Sequence, residues 1–322
     1  MSEVSIPRGG VVAARLKARA TAFSLTVALV IMGLKAATWL ATGSVSVLSV
    51  LMDSVMDTFM GLLNYLAVRQ AQKPPDRRFR FGYGKMEPLA SLAQSMFMIG
   101  AALAIAMEAL YRLFTPYRVA HADIAIGTMV VSLALTGGLV LYQRHVIRLT
   151  GSTVVRADSL HYRTDMLMYV GVIVSLLFSG IRGIGWADPV IALAIAAYLA
   201  ASAKGILVES TEMLLDKELP IEDRRRIHAI ALAHPSVRAI HDLRTRLSGE
   251  NVFIQLHAEM DGDLPLIASH QYTDEVIDLI LEAYPNAEVQ VHQEPIGMPR
   301  HRSWCHKAGV VPPRFPGEYG TG

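Results

Sequence analysis

Six apolar stretches follow one another through the first two thirds of this chain, each roughly 20 residues long, and a water-soluble core has no use for such a series. They run near Ala22–Ala41, Val45–Val68, Glu87–Phe114, Ile124–Val146, Val155–Ser179 and Ala187–Leu207. Short breaks separate them: Thr42-Gly43-Ser44, Thr115-Pro116, and Gly180 to Gly185. Asp188-Pro189 opens the sixth stretch as a helix cap followed by proline in the first turn. About 20 residues at a rise of about 1.5 Å each span a hydrocarbon layer of about 30 Å, and helices satisfy their backbone groups internally there. Of the 322 residues, 52% are hydrophobic. The expected architecture is therefore an α-helical membrane protein with six transmembrane helices.

Lysine and arginine orient it. The second-to-third connection carries Arg69, Lys73, Arg77, Arg78, Arg80 and Lys85, and the fourth-to-fifth carries Arg144, Arg148 and Arg156. The opposite loops carry few. The positive-inside rule then predicts that both termini and the basic loops are cytoplasmic. Residues 1–21, with Arg8, Arg15, Lys17 and Arg19, lack a compact signal-peptide pattern and read as a cytoplasmic lead. A net charge of +2 implies no nucleic-acid partner. A single cysteine, Cys305, leaves no disulfide framework and no thiolate metal cluster.

After the membrane region, 22–212, the pattern changes. Ile221 to His234 has helical periodicity, while Val237 to Leu247 and Asn251 to Met260 alternate as strands around Ser248-Gly249-Glu250. Pro265 to Ala283 is helical again, and Ala287 to Glu294 is a final strand. Residues 213–296 are thus expected to form a small cytoplasmic α+β domain of order α-β-β-α-β. Residues 297–322 are rich in proline, glycine and basic residues, and are expected to be a disordered tail.

Ionisable residues inside the apolar stretches carry the functional signal. Asp53 and Asp57 stand four apart within the second stretch, and His161 and Asp165 stand four apart near the head of the fifth. Each pair shares one helix face. Charges in lipid cost at least a few kcal/mol, and aspartate is too short to snorkel to water. Read alone, Asp158, His161, Arg163 and Asp165 could be a frayed helix start. Two such pairs on different helices instead suggest one site of three carboxylates and one imidazole for a divalent metal. The imidazole shifts the preference toward Zn²⁺, Cd²⁺ or Fe²⁺, and Mn²⁺ is hardly excluded. Ligands bind metal only when deprotonated, so a site open alternately to two sides would exchange metal for protons. Lys35, in the first stretch, reads as a snorkelling residue. No nucleophile–base pair accompanies these groups, and Gly82-Tyr83-Gly84-Lys85 is too short for a phosphate loop, so no enzyme is expected.

The motifs Asp53-Ser-x-x-Asp57, Phe81-Gly-Tyr83-Gly-Lys85, Ala157-Asp158-Ser159-Leu160-His161-Tyr-Arg-Thr-Asp165, His241-Asp242-Leu243-Arg244-Thr245-Arg246 and His292-Gln293-Glu294-Pro295 resemble, in order and spacing, the cation diffusion facilitators. More narrowly they resemble the bacterial zinc and ferrous-iron efflux branch, over about Ala22 to Pro295. The resemblance implies a homodimeric metal/proton antiporter of the bacterial inner membrane, working by alternating access, with Asp53, Asp57, His161 and Asp165 as its transport site. It implies a second metal cluster in the cytoplasmic domain, from His241, His257, His270, His292 and Glu294, so that zinc is both cargo and a structural or regulatory ion. Asp242 and Asp261 are possible extra ligands. One family feature is altered: where the branch carries metal-binding histidines before the third helix, this chain has Phe79 and Tyr83, leaving Asp76 among arginines, and no metal is expected there. His301, Cys305 and His306 have no familiar ligand spacing. The alternative function is a metal-sensing or scaffold membrane protein in which transport is vestigial.

Overall fold

The structure, a computed structural model, describes residues 10–42, 45–114, 122–182 and 187–297. The expectation of a disordered tail and the reading of His301, Cys305 and His306 fall outside them. The chain divides between Leu214 and Leu215 into two units.

The first unit is six long helices: α1 (Gly10–Thr42), α2 (Val45–Ala71), α3 (Met86–Phe114), α4 (Ala122–Thr150), α5 (Thr153–Arg182) and α6 (Ala187–Leu214). Every apolar stretch is a helix, but several helices outrun their stretch. α1 begins at Gly10, inside the segment read as a lead, because Lys17 has a partner: its ammonium is buried and donates to Glu87 Oε2 on α3 at 3.0 Å. α6 runs on past Leu207 to Leu214. Among the described residues, four of the six helices are long and apolar enough to cross a membrane: α1, α3, α4 and α6. The reading of six spans thus stands at four by that measure. The other two, α2 and α5, are those that carry the ionisable pairs, and charged residues lower a helix's mean hydropathy.

Polarity in this unit is arranged for lipid. Large apolar side chains point outward, among them Leu103, Phe114 and Leu141, while Ser24, Asn64, Gln94, Gln143 and Asp158 are buried between helices. Buried polar groups need partners inside, and each of these side chains has at least one. Asp158 on α5, 2% exposed, accepts hydrogen bonds from Ser24 on α1 (2.6 Å), Asn64 on α2 (3.2 Å) and Gln143 on α4 (2.7 Å). Asn64 also donates to Gln94 on α3 at 3.0 Å, so one carboxylate anchors a network that touches five helices. Apolar packing surrounds it: Val27, Ile31, Leu139, Val140 and Tyr162 join α1, α4 and α5, and Met98, Leu160, Leu199 and Ile206 help join α3, α5 and α6. At Gly171, α5 and α6 pass so closely that a Cβ would lie 2.9 Å from Ile191 Cγ2.

The second unit holds α7 (Ile221–Leu232), β1 (Ala239–Ser248), β2 (Asn251–Met260), α8 (Leu266–Ala283) and β3 (Ala287–Pro295), the expected order. Its sheet has order β1-β2-β3. β1 and β2 are antiparallel through a tight turn whose Gly249 has φ 65, the left-handed conformation that hairpin turns demand. β2 and β3 are parallel, which requires a crossover, and α8 supplies it. Ile227, Ile240, Ile254, Leu256, Val276 and Ile280 form the buried core between sheet and helices.

Candidate metal centres

In the helical unit, α5 presents His161 and Asp165 one turn apart, and α2 presents Asp57 opposite them. His161 Nε2 faces both carboxylates, at 2.9 Å from Asp57 Oδ1 and 3.6 Å from Asp165 Oδ2. All three side chains are half-buried, and one ligand atom from each lies within 4.8 Å of the others. Ligands on a tetrahedral zinc, each about 2.0–2.1 Å from the ion, stand about 3.3 Å from one another, so little movement separates this trio from a coordinating set. Asp53 does not join it. It lies one turn away on α2 with its side chain exposed, though its charge acts on Lys35.

In the second unit the cluster is set by strand register. His241 on β1 pairs with His257 on β2, and His257 pairs with His292 on β3, so three imidazoles stand in one row across the sheet. Glu294 bridges two of them: Oε2 lies 3.0 Å from His241 Nε2, and Oε1 lies 2.8 Å from His257 Nδ1. His292 is 62% exposed, with Nε2 3.6 Å from Glu294 Oε1. Burial raises the Glu294 carboxyl, but the hydrogen bond from His257 and the charge of His241 outweigh it and hold the group below its ordinary value. His270 is placed elsewhere, exposed on α8 with Nε2 3.6 Å from Asp274 Oδ2. Asp261 is exposed and accepts the Asp263 amide at 3.1 Å.

Residues 21–215 match the cation efflux transmembrane domain, and residues 219–296 match the cytoplasmic domain of cation efflux proteins. The chain belongs to the cation efflux family. The cation-efflux pump FieF of Shewanella oneidensis is 41% identical over 273 residues, covering 85% of this chain and 92% of that protein. FieF of Klebsiella pneumoniae subsp. pneumoniae is 41% identical over 283 residues, covering 87% and 93%. Among solved structures, the metal-bound C-terminal domain of the CzcD transporter from Thermotoga maritima has 28% identity and a TM-score of 0.24, covering 24% of this chain and 92% of that one. The protein is thus a cation efflux transporter with a helical membrane domain and a cytoplasmic α/β domain, and its family is one of transporters rather than enzymes.

Two features of this efflux protein differ from the sequence reading, at Glu259 and Lys35, and Asp242, a possible extra ligand by sequence, lies beside the cluster. Glu259 stands two residues after His257 on β2, so it shares that face, and its Oε1 lies 3.6 Å from His241 Nε2. The alternation could have disclosed it. Asp242, in the bulge between His241 and Arg244, adopts φ 50 and is gripped by Arg244 Nη2 at 2.8 Å, which leaves its Oδ2 3.8 Å from His257 Nε2. Lys35 is not a snorkelling residue: it is 6% exposed, with Nζ donating to Ser54 Oγ at 2.6 Å. Snorkelling needs a free path to water, and packing against α2 removes it.

The altered loop between α2 and α3 is held by its own groups. Asp76 accepts hydrogen bonds from Tyr83 Oη at 2.6 Å and from the Phe79 and Arg78 amides at 2.7 and 2.8 Å. The Tyr83 hydroxyl, then these amides, hold the Asp76 carboxyl below its ordinary range.

Proposed function

We propose that this efflux transporter moves zinc out of the bacterial cytoplasm in exchange for protons, as a homodimer that alternates between inward- and outward-facing states. Cd²⁺ and Fe²⁺ are the competing cargoes. The observation that carries this reading is the convergence of Asp57, His161 and Asp165 from two helices of the membrane domain. A mixed imidazole–carboxylate set without sulfur favours a borderline cation such as Zn²⁺ over Ca²⁺ or Mg²⁺. Asp53 completes the quartet once α2 turns its exposed carboxylate toward the others. Proton exchange follows from the ligands, each of which must lose a proton to bind metal and regains one on release.

In this reading α1 to α6 all span the inner membrane, with residues 22–212 as the transport domain and both termini cytoplasmic. α2 and α5 enter the bilayer despite their charges because those charges face the bundle. The domain at 213–296 holds resident zinc through His241, His257 and Glu294, joined by His292 and His270 when two copies associate. Its donors fit that ion: imidazole nitrogens and one carboxylate, with Glu259 and Asp242 as nearby oxygens. Zinc there would tie the folded domain together, and the membrane quartet would do the transporting.

The deciding experiment is zinc uptake into vesicles containing the purified protein, with and without a pH gradient. Wild-type protein should take up zinc faster when the compartment opposite the metal is acidic, and Asp57→Ala should take up none. Near-normal flux through Asp57→Ala would refute the site. Metal binding by the cytoplasmic domain with no uptake by the wild type would favour the sensor or scaffold reading.

A further inference from the structure

Among the described residues, Lys35 is the one buried cation beside the proposed transport site, and the reading above gives it no task. Its hydrogen bond goes to a neutral hydroxyl, Ser54 Oγ, at 2.6 Å. Ser54 lines the same small cavity as Asp57 and Asp165, and Ile31, one turn before Lys35 on α1, lines it too. The ammonium is therefore held at the edge of the site without an ion pair to any ligand among the described contacts. It still feels the site, because the charges of Asp57, Asp165 and Asp53 all act on it.

A charge count shows what such a group can do. Three carboxylates and a neutral imidazole around a divalent ion leave one negative charge in excess. In a dry, low-dielectric bundle that excess is costly, and it would hold the cargo too tightly for release or attract a monovalent cation from solution. Conduction and transport need a site favourable enough to fill and weak enough to empty. A lysine suits the remaining charge, being a compact ammonium on a flexible four-carbon stem.

We propose that Lys35 is a tethered counter-cation of the transport site: parked on Ser54, it shares the field of Asp53, Asp57 and Asp165 with the transported metal, loosening the metal's hold and keeping free monovalent cations out. This rests on the quartet being the transport site, and the test separates the two claims. The readout is the half-saturating zinc concentration for initial uptake into vesicles, measured for the full-length protein. Lys35→Gln keeps a donor for Ser54 but removes the charge. Its half-saturation should fall by about tenfold, its maximal rate should drop as release slows, and added potassium should inhibit it while sparing the wild type. Lys35→Arg should restore wild-type half-saturation. Ser54→Ala frees the ammonium to move onto the carboxylates and should shift half-saturation the opposite way, several-fold upward. A packing role would weaken binding in both Lys35→Gln and Ser54→Ala, and that result overturns the proposal. If Lys35→Gln fails to insert, the neutral and similarly long Lys35→Met decides: a lowered half-saturation supports the counter-cation, and an unchanged or raised one overturns it. Wild-type uptake by Asp57→Ala would overturn the quartet and Lys35 with it. A silent Asp57→Ala beside an unchanged Lys35→Gln would overturn the role of Lys35 alone.

Discussion

The two histidine–carboxylate clusters use the same side chains on opposite kinds of support. In the membrane unit, Asp57 reaches His161 and Asp165 from a different helix, and among the described residues no backbone hydrogen bond ties α2 to α5, because each helix satisfies its own. Sliding or rotating one helix alters the site without breaking the fold. In the cytoplasmic unit, His241, His257 and His292 sit in register on three hydrogen-bonded strands, and Glu294 spans two of the imidazoles. That cluster cannot open without tearing the sheet. Exchange suits the first arrangement and retention the second.

The comparison breaks most readily at the helical site. His161→Ala or Asp165→Ala should lower zinc flux by about a hundredfold or more, as expected for losing one of few ligands, while zinc still raises the melting temperature of the cytoplasmic unit. A variant that loses both properties would mean the two sites act as one. Next comes the sheet site. His257→Ala with Glu294→Ala should abolish the zinc-dependent stabilisation, worth about 2.7 kcal/mol at a hundredfold excess over the dissociation constant, yet reduce flux only several-fold. Thermal melts with and without chelator, beside flux on the same preparation, check this. A smaller effect tests whether the membrane unit has a rigid part of its own. Asp158→Asn should cost about 1–3 kcal/mol by leaving donors from α1, α2 and α4 poorly paired, seen as a lower melting temperature in detergent with half-saturation unchanged.

The smallest effect belongs to the loop before α3. Asp76 has its folded-state pKa depressed, so the Tyr83–Asp76 link contributes above the unfolded pKa and is lost as pH falls through the folded one. Tyr83→Phe should move the Asp76 titration upward toward its ordinary range, read by carboxyl-carbon NMR. Asp76→Ala should leave zinc stoichiometry unchanged, and losing one bound zinc per protomer would place a third site there.

These differences also explain what could be read from the sequence. The helical candidates are visible because four residues make about one turn, so Asp53 with Asp57 and His161 with Asp165 declare a shared face locally. What stays hidden is which way that face turns, and Asp53 lies exposed while its neighbour is engaged. The sheet cluster depends on register between strands far apart in sequence. Spacing therefore joins His292 with Glu294, and could have joined Glu259 with His257, but only register brings His241 to them, and family likeness placed His270 in a cluster that it does not reach within one chain. Lys35 was misread for a similar reason: hydropathy places a lysine near a helix end but does not say whether another helix closes its path to water.

The parallel pairing of β2 with β3 has a consequence for how the molecule is made. During synthesis the hairpin of β1 and β2 emerges first and can set His241 beside His257 unaided. The strand that brings Glu294 leaves the ribosome only after the whole of α8, and domains form roughly in the order in which they are translated. By then all six long helices have been synthesised. In the reading proposed above, zinc therefore meets a finished sheet cluster only on a chain whose long helices are already made, and metal supply at that cluster acts on the completed chain, not on insertion.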